Sequence, residues 1–215
     1  YTVIVYRVID TIIGASLAWL ASRLLWPSWE REGVTKLLAT ALKAIREYLQ
    51  EEVVLFREGK TDGLAYRLAR RQAFVGLGEL EATYARVLRE PGGGAAQSNR
   101  LSDVVTDAHR ILSVVAHIGT LLRYSASKLE TAHVNSLTHD LAEDIASCYQ
   151  LVRESEKGQA QTSPGTDAAL TYFREGEDDP PRATFLMEYD YLKKLVADLK
   201  SDMVTWLSPG PSPIK

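Results

Sequence analysis

Residues 1–27 read YTVIVYRVIDTIIGASLAWLASRLLWP, with Arg7, Asp10 and Arg23 as the only charges. From Thr11 to Ser22 no residue is charged, a run too short by itself to cross a bilayer. The flanks extend its reach. Arg7 to Trp26 makes about 28 Å of helix at about 1.5 Å per residue, against a hydrocarbon layer about 30 Å thick. Asp10 and Arg23 then lie about one turn inside each boundary, where Arg23 can snorkel and Asp10 can pair with Arg7. Trp26 and Trp29 bracket Pro27 at the far end, where a span meets the headgroups and its helix stops. The pattern predicts a terminal transmembrane helix over 1–29, anchored at the interface by Trp26, Pro27 and Trp29. The competing interpretation is a buried helix of a soluble bundle, which tolerates the same charges. A secretory signal fits poorly, because Asp10 and Arg23 interrupt any apolar h-region. Arg31, Lys36, Lys43 and Arg46 follow the span, with Arg23 just inside it and Arg7 alone before it. That bias places the C-terminal side in the cytoplasm.

Beyond Pro27 the chain turns amphipathic. Val34, Leu38, Ala41, Ile45, Tyr48 and Phe56 keep the three-to-four spacing of one helix face. A second run uses Leu64, Leu68, Leu77, Leu80, Tyr84 and Val87 and stops at Pro91 with three glycines behind it. Leu101, Val105, Ala108, Leu112, Val115, Gly119 and Leu122 form a third, and Val134, Leu137, Leu141, Ile145, Cys148 and Val152 a fourth. Phe185, Tyr189, Leu192, Val196, Leu199, Met203 and Trp206 form the last and most regular stripe. No segment of comparable strength alternates with period two. The expected fold is all-α: one transmembrane helix, then an antiparallel bundle of about five helices. The bundle is expected over 30–155 with a closing helix at 183–207. Between them, 156–182 reads as a polar, partly disordered linker, and 208–215 as a Pro-rich tail.

Composition narrows the function. The 215 residues carry 25 Lys and Arg against 28 Asp and Glu, a net charge of -3, so the basic excess of a nucleic-acid binder is missing. The lone Cys148 cannot form an internal disulfide, and it falls on an apolar stripe as a packed thiol. The chain begins at Tyr1, so a piece of a longer protein is expected. His109 and His117 are two turns apart and His133 and His139 point to different sides, so none makes the i, i+4 pair of a zinc helix. The acidic cluster at Glu175, Glu177, Asp178 and Asp179 lacks the calcium-loop ladder, and Gly92–Gly94 lacks the Lys-Ser/Thr of a phosphate loop. With no nucleophile elbow either, no enzyme, cofactor or metal is expected. Arg57, Lys60, Arg67, Arg70 and Arg71 cluster opposite Glu58 and Asp62. A solvated face with internal ion pairs accounts for them better than a headgroup contact.

The order of these features resembles a known family. Arg7-Val8-Ile9-Asp10-Thr11-Ile12-Ile13-Gly14, followed by Trp26-Pro27-Ser28-Trp29, is similar to the last-span signature of the fusaric-acid-resistance (FUSC) superfamily, in particular its YccS/YhfK type of bacterial inner-membrane protein. Tyr66-Arg67-Leu68-Ala69-Arg70-Arg71-Gln72-Ala73 with Leu80, then Arg89-Glu90-Pro91, resembles a helix of the cytosolic domain in the same proteins. His109-Arg110-Ile111-Leu112 fits the helix after it. The resemblance covers most of residues 1–155. It implies a C-terminal portion comprising the last transmembrane helix and a cytosolic helical domain. Its partners would be the lipid bilayer and the other spans of a longer protein, in a homo-oligomer. Related members export aromatic carboxylic acids such as p-hydroxybenzoate, so an efflux role for a small aromatic acid is implied through relatives.

The residues themselves suggest how the motif would act. Arg7, Asp10 or Thr11, Gly14, Ala18 and Ala21 share one helix face. Gly14, Ala18 and Ser22 form a track of small residues along which a neighbouring span can approach. Arg7 could attract an anion or pair with Asp10, with Thr11 helping to solvate a path. The alternative is that Arg7 and Asp10 only pin the helix at the interface. At the level of the whole chain, a transporter piece competes with a soluble helical interaction module.

Overall fold

A computed structural model describes residues 2–25, 29–89, 95–125, 129–153, 166–175 and 179–207. Their elements are α1 (Thr2–Leu25), α2 (Trp29–Glu58), α3 (Leu64–Val87), α4 (Ala95–Ser125), α5 (Thr131–Arg153), α6 (Thr166–Glu175) and α7 (Pro180–Leu207). Among the described residues every element is an α-helix, so the all-α expectation holds. The chain divides into two units, Tyr1–Thr35 and Lys36–Lys215.

In the first unit α1 is apolar on nearly every side, and every side chain from Val3 to Ala21 is exposed. Ile4 is 66% and Trp19 65% accessible. A helix that is apolar around most of its circumference is poorly matched to water. By length and composition alone the Val3–Ala21 window can cross a membrane, and none of it is buried.

The second unit is a bundle whose directions follow from its contacts. α2 ends in a Schellman motif: Gly59 takes φ 64°, its N–H donates to the Phe56 carbonyl, and that of Lys60 donates to Leu55. Only glycine enters this left-handed conformation without penalty. The short turn sends α3 back antiparallel to α2. Tyr66 meets Tyr48 with ring centroids 5.9 Å apart, while a Cβ on Gly76 would stand 3.4 Å from the Ala41 backbone. α4 runs back along α3, joined by Glu81–His109 and by Tyr66–Arg123. α7 lies antiparallel to α4, tied by His117–Glu188 at one end and Arg100 to the Thr205 carbonyl at the other. α5 runs parallel to α7, with Asp140 against Tyr189 and the Cys148 thiol against the Val196 carbonyl.

The anticipated stripes of α2, α4 and α7 are buried throughout, as is that of α5 as far as Cys148; the Val152 side chain lies outside the described residues. The stripe of α3 differs. Leu77 and Leu80 point inward, but Leu64 is 77% and Leu68 51% accessible. The buried face is instead Tyr66, Ala69, Ala73, Gly76, Leu77, Leu80 and Thr83. Small residues let α3 lie close to α2, so the core takes the face with less bulk. Within 156–182, α6 forms a ten-residue helix with Ala169 and Phe173 fully buried. Phe173 stacks on Phe185 at 4.8 Å, and Tyr172 stacks on His133 at 4.1 Å. α7 begins at Pro180 rather than at 183. Proline suits a first helical turn, where its missing N–H would have had no partner, and the Asp179 carbonyl receives the N–H groups of Arg182 and Ala183. The tail 208–215 lies outside the described residues.

Candidate functional site

The anticipated α1 motif lies on an open surface. Arg7, Asp10, Thr11 and Gly14 are all exposed. The Thr11 hydroxyl donates to the Arg7 carbonyl at 2.8 Å, one turn back, so it is satisfied by its own helix. A Cβ on Gly14 would meet nothing within 4 Å, which leaves that position open to another helix. Among the described residues no ion pair joins Arg7 to Asp10. Their side chains are therefore left for the surroundings of α1. Trp26 and Pro27 fall outside the described residues, as does the side chain of Trp29.

The second motif is split between two sides of α3. Tyr66 is 6% accessible and faces the core, whereas Arg67, Arg70 and Arg71 are exposed. Arg67 lies 3.5 Å from Asp62, Lys60 2.9 Å from Glu58, and the Arg70 guanidinium 5.7 Å from the Phe74 ring. Much of the basic cluster is thus engaged within its own chain, as a solvated helix face would be. Glu90 and Pro91 lie outside the described residues.

Tyr66 leads to a buried polar centre that sequence patterning did not reveal. Arg123 of α4 donates to Glu52 Oε2 at 2.7 Å and to the Tyr66 hydroxyl at 3.0 Å, with its guanidinium 5.2 Å from the Tyr66 ring centroid. The Glu52 side chain is fully buried, and its Oε1 has no hydrogen-bond partner. Burial pushes the Glu52 carboxyl above its ordinary range, while the neighbouring Tyr48 hydroxyl and Arg123 oppose that rise. Gly119 makes the room: a Cβ there would overlap the Glu52 carboxylate. Glu52 appeared in the sequence as one more acid on a charged helix. Its only signal was its position one turn after Tyr48, on the buried face.

A second cluster clamps α5 to α7. Asp140, 3% accessible, accepts from the Tyr189 hydroxyl at 2.7 Å and lies 2.6 Å from Lys193, which also reaches Asp144 at 3.5 Å. Burial raises the Asp144 carboxyl, and Lys193 pulls it the other way. Three histidines each face one carboxylate: His109–Glu81, His117–Glu188 and His133–Glu130. Each ring's Nδ1 lies within 3.1 Å of one carboxylate oxygen, and the His133 Nδ1 makes no hydrogen bond. Cys148 is fully buried, and its thiol is pushed up to about 12 by desolvation.

An all-helical domain combined with an exposed apolar helix of membrane-spanning length defines the structural class. Comparison with known proteins gives a matching picture. The chain is 36% identical over 85 residues to the inner membrane protein YccS of Escherichia coli, covering 40% of this chain and 12% of YccS. It is 27% identical over 190 residues to an uncharacterized protein of Haemophilus influenzae, covering 86% of this chain and 26% of that protein. With the uncharacterized protein ORF2 of Neisseria gonorrhoeae it shares 31% identity over 140 residues, covering 65% of this chain and 33% of the relative. The chain thus spans between 12% and 33% of the length of these relatives. No family model matches it. No solved structure matches it.

Proposed function

We propose that this chain is the C-terminal part of a bacterial inner-membrane protein of the fusaric-acid-resistance type. In this reading α1 is the last span, and α2 to α7 form a cytoplasmic domain that assembles or regulates the protein. The whole protein would export small aromatic carboxylic acids. The observation that carries the proposal is the state of α1: a 19-residue apolar window with none of its side chains buried. Such a surface is stable only where something apolar covers it. Lipid and the other spans of a longer protein supply that cover, and similarity to YccS points the same way. The alternative, a soluble interaction module, would need its own chain or a partner to cover the same apolar window.

Within this reading Arg7 stands at the membrane boundary and Asp10 about one turn inside it, and a charge kept there faces a polar path or another span. Arg7 would draw the carboxylate of an aromatic acid, Thr11 would help solvate the path, and Gly14 would let a neighbouring helix close against it. The cytoplasmic side follows from the basic residues that trail α1. We assign the chain no catalytic step, cofactor or metal.

Export by the full-length protein tests the assignment. With expression matched, Arg7→Gln should abolish efflux of p-hydroxybenzoate while leaving the protein in the membrane fraction. Unchanged efflux would remove Arg7 from the path, and a full-length protein recovered from the soluble fraction would end the membrane assignment itself.

A further inference from the structure

The outer side of α3 carries a second stripe that the core does not use. Leu64, Leu68, Arg71, Val75, Gly78 and Ala82 are all exposed and follow one another at steps of four and three, the spacing of a coiled-coil seam. They lie opposite the buried face that begins at Tyr66 and ends at Thr83. Leu64, Leu68 and Val75 are 77%, 51% and 50% accessible, and Phe74 beside them is 48% accessible. Single exposed apolar residues are ordinary, but three large ones on one line, Leu64, Leu68 and Val75, with only the Arg71 stem between them, are not. A Cβ on Gly78 would meet nothing within 4 Å, so packing within the chain does not require a glycine there.

We infer that two copies of this chain pair through α3, antiparallel, about a two-fold axis near position 73. The stripe is complementary to itself only in that direction. Leu64 of one copy then lies opposite Ala82 of the other, and Leu68 opposite Gly78, so each large residue meets a small one. The aliphatic stem of Arg71 lies along Val75 with its guanidinium free to reach water. On the flank, Phe74 meets its own counterpart and Arg67 meets Glu81 of the second copy. A parallel pair would set Leu against Leu, Gly against Gly and Arg71 against Arg71, leaving both gaps and like-charge repulsion. The antiparallel arrangement is isologous and closes on itself. Arg67 and Glu81 are held at the surface by Asp62 and His109. Both pairs are exposed, so each residue can also serve a partner across the seam. The inference rests on unit Lys36–Lys215 alone and stands whatever the membrane part carries.

Cysteine cross-linking of the full chain in detergent micelles tests it, because buried Cys148 stays silent under mild oxidation. Phe74→Cys should form a disulfide-linked dimer. Leu64→Cys should not link to itself, since an axis near position 73 separates the two copies of that residue by about 27 Å of helix. By analytical ultracentrifugation the unmodified chain should be a dimer. Leu68→Glu should make it a monomer with unchanged helicity, because that side chain supports nothing in its own core. Arg67→Glu should weaken the dimer about tenfold, with Arg67→Glu/Glu81→Arg restoring it. A monomeric chain would overturn the proposal, as would Leu64→Cys linking as readily as Phe74→Cys. So would Phe74→Cys staying unlinked but becoming shielded from a water-soluble thiol reagent in anionic vesicles, which would give the face to lipid.

Discussion

Glu52 concentrates the energetics of the bundle at one residue. It is a carboxylate with no exposed surface, one oxygen on Arg123 and the other on nothing. Gly119 and Glu52 form one feature, since the missing side chain on α4 is the space that the acid occupies. Removing Arg123 from this pair costs about 3–5 kcal/mol, because the Glu52 charge stays buried. The pH dependence follows from burial. Folding raises the Glu52 pKa above its ordinary value of 4.5, so over the interval above that value the folded chain holds a proton that the unfolded chain has released. Stability therefore falls as pH rises, with a slope of up to about 1.4 kcal/mol per pH unit for one group. Glu52→Gln keeps the shape and removes the titration. Urea unfolding between pH 4 and 8 should show wild type losing stability relative to Glu52→Gln as pH climbs, then running parallel to it once the folded group has ionised. A constant difference across the range would mean that Glu52 titrates as an ordinary surface acid.

The elements show why apolar spacing is a good guide to helices and a poorer guide to their inward faces. On α4 and α7 the stripe that the spacing marks out is the one buried. α3 carries two candidates, and proximity to α2 decides between them. A close approach at Ala41 and Gly76 favours the Ala-rich side and turns Leu64 and Leu68 outward. α6 was hidden for a different reason. Ala169 and Phe173 sit one turn apart in a segment surrounded by glycine, proline and acid, and two anchors are too few to show a period. The structure makes them count by placing Phe173 on Phe185 and Tyr172 between His133 and the Arg182 guanidinium, which lies 4.2 Å from its ring. Phe173→Ala should therefore lower the stability of the bundle by about 3–5 kcal/mol, as for a fully buried aromatic. Thermal unfolding followed by circular dichroism measures it. A loss below about 1 kcal/mol would place α6 outside the cooperative core.

At the scale of the molecule the two units differ in what each needs around it. Lys36–Lys215 supplies its own core, from Leu38 to Trp206. α1 supplies an apolar exterior instead, with side chains from Val3 to Ala21 all exposed. A fragment beginning at Gly33 should accordingly stay in solution without detergent and keep its helicity, whereas the full chain should need detergent or lipid. Sedimentation with and without detergent reads both outcomes, and aggregation of the shorter fragment would show that α1 completes the core after all.

The sequence by itself determined the long helices, because apolar residues at three-to-four spacing can bury a common face only as helices. It also determined that α1 is uniform where the others are two-sided, since composition around a helix needs no neighbour to be read. Only the tertiary structure decided which face of α3 turns inward, that residues 166–175 form a helix, and that Glu52, Tyr66 and Arg123 meet. Each of those depends on residues far apart in the chain competing for the same small volume. Such a contest leaves no periodic trace in any one segment.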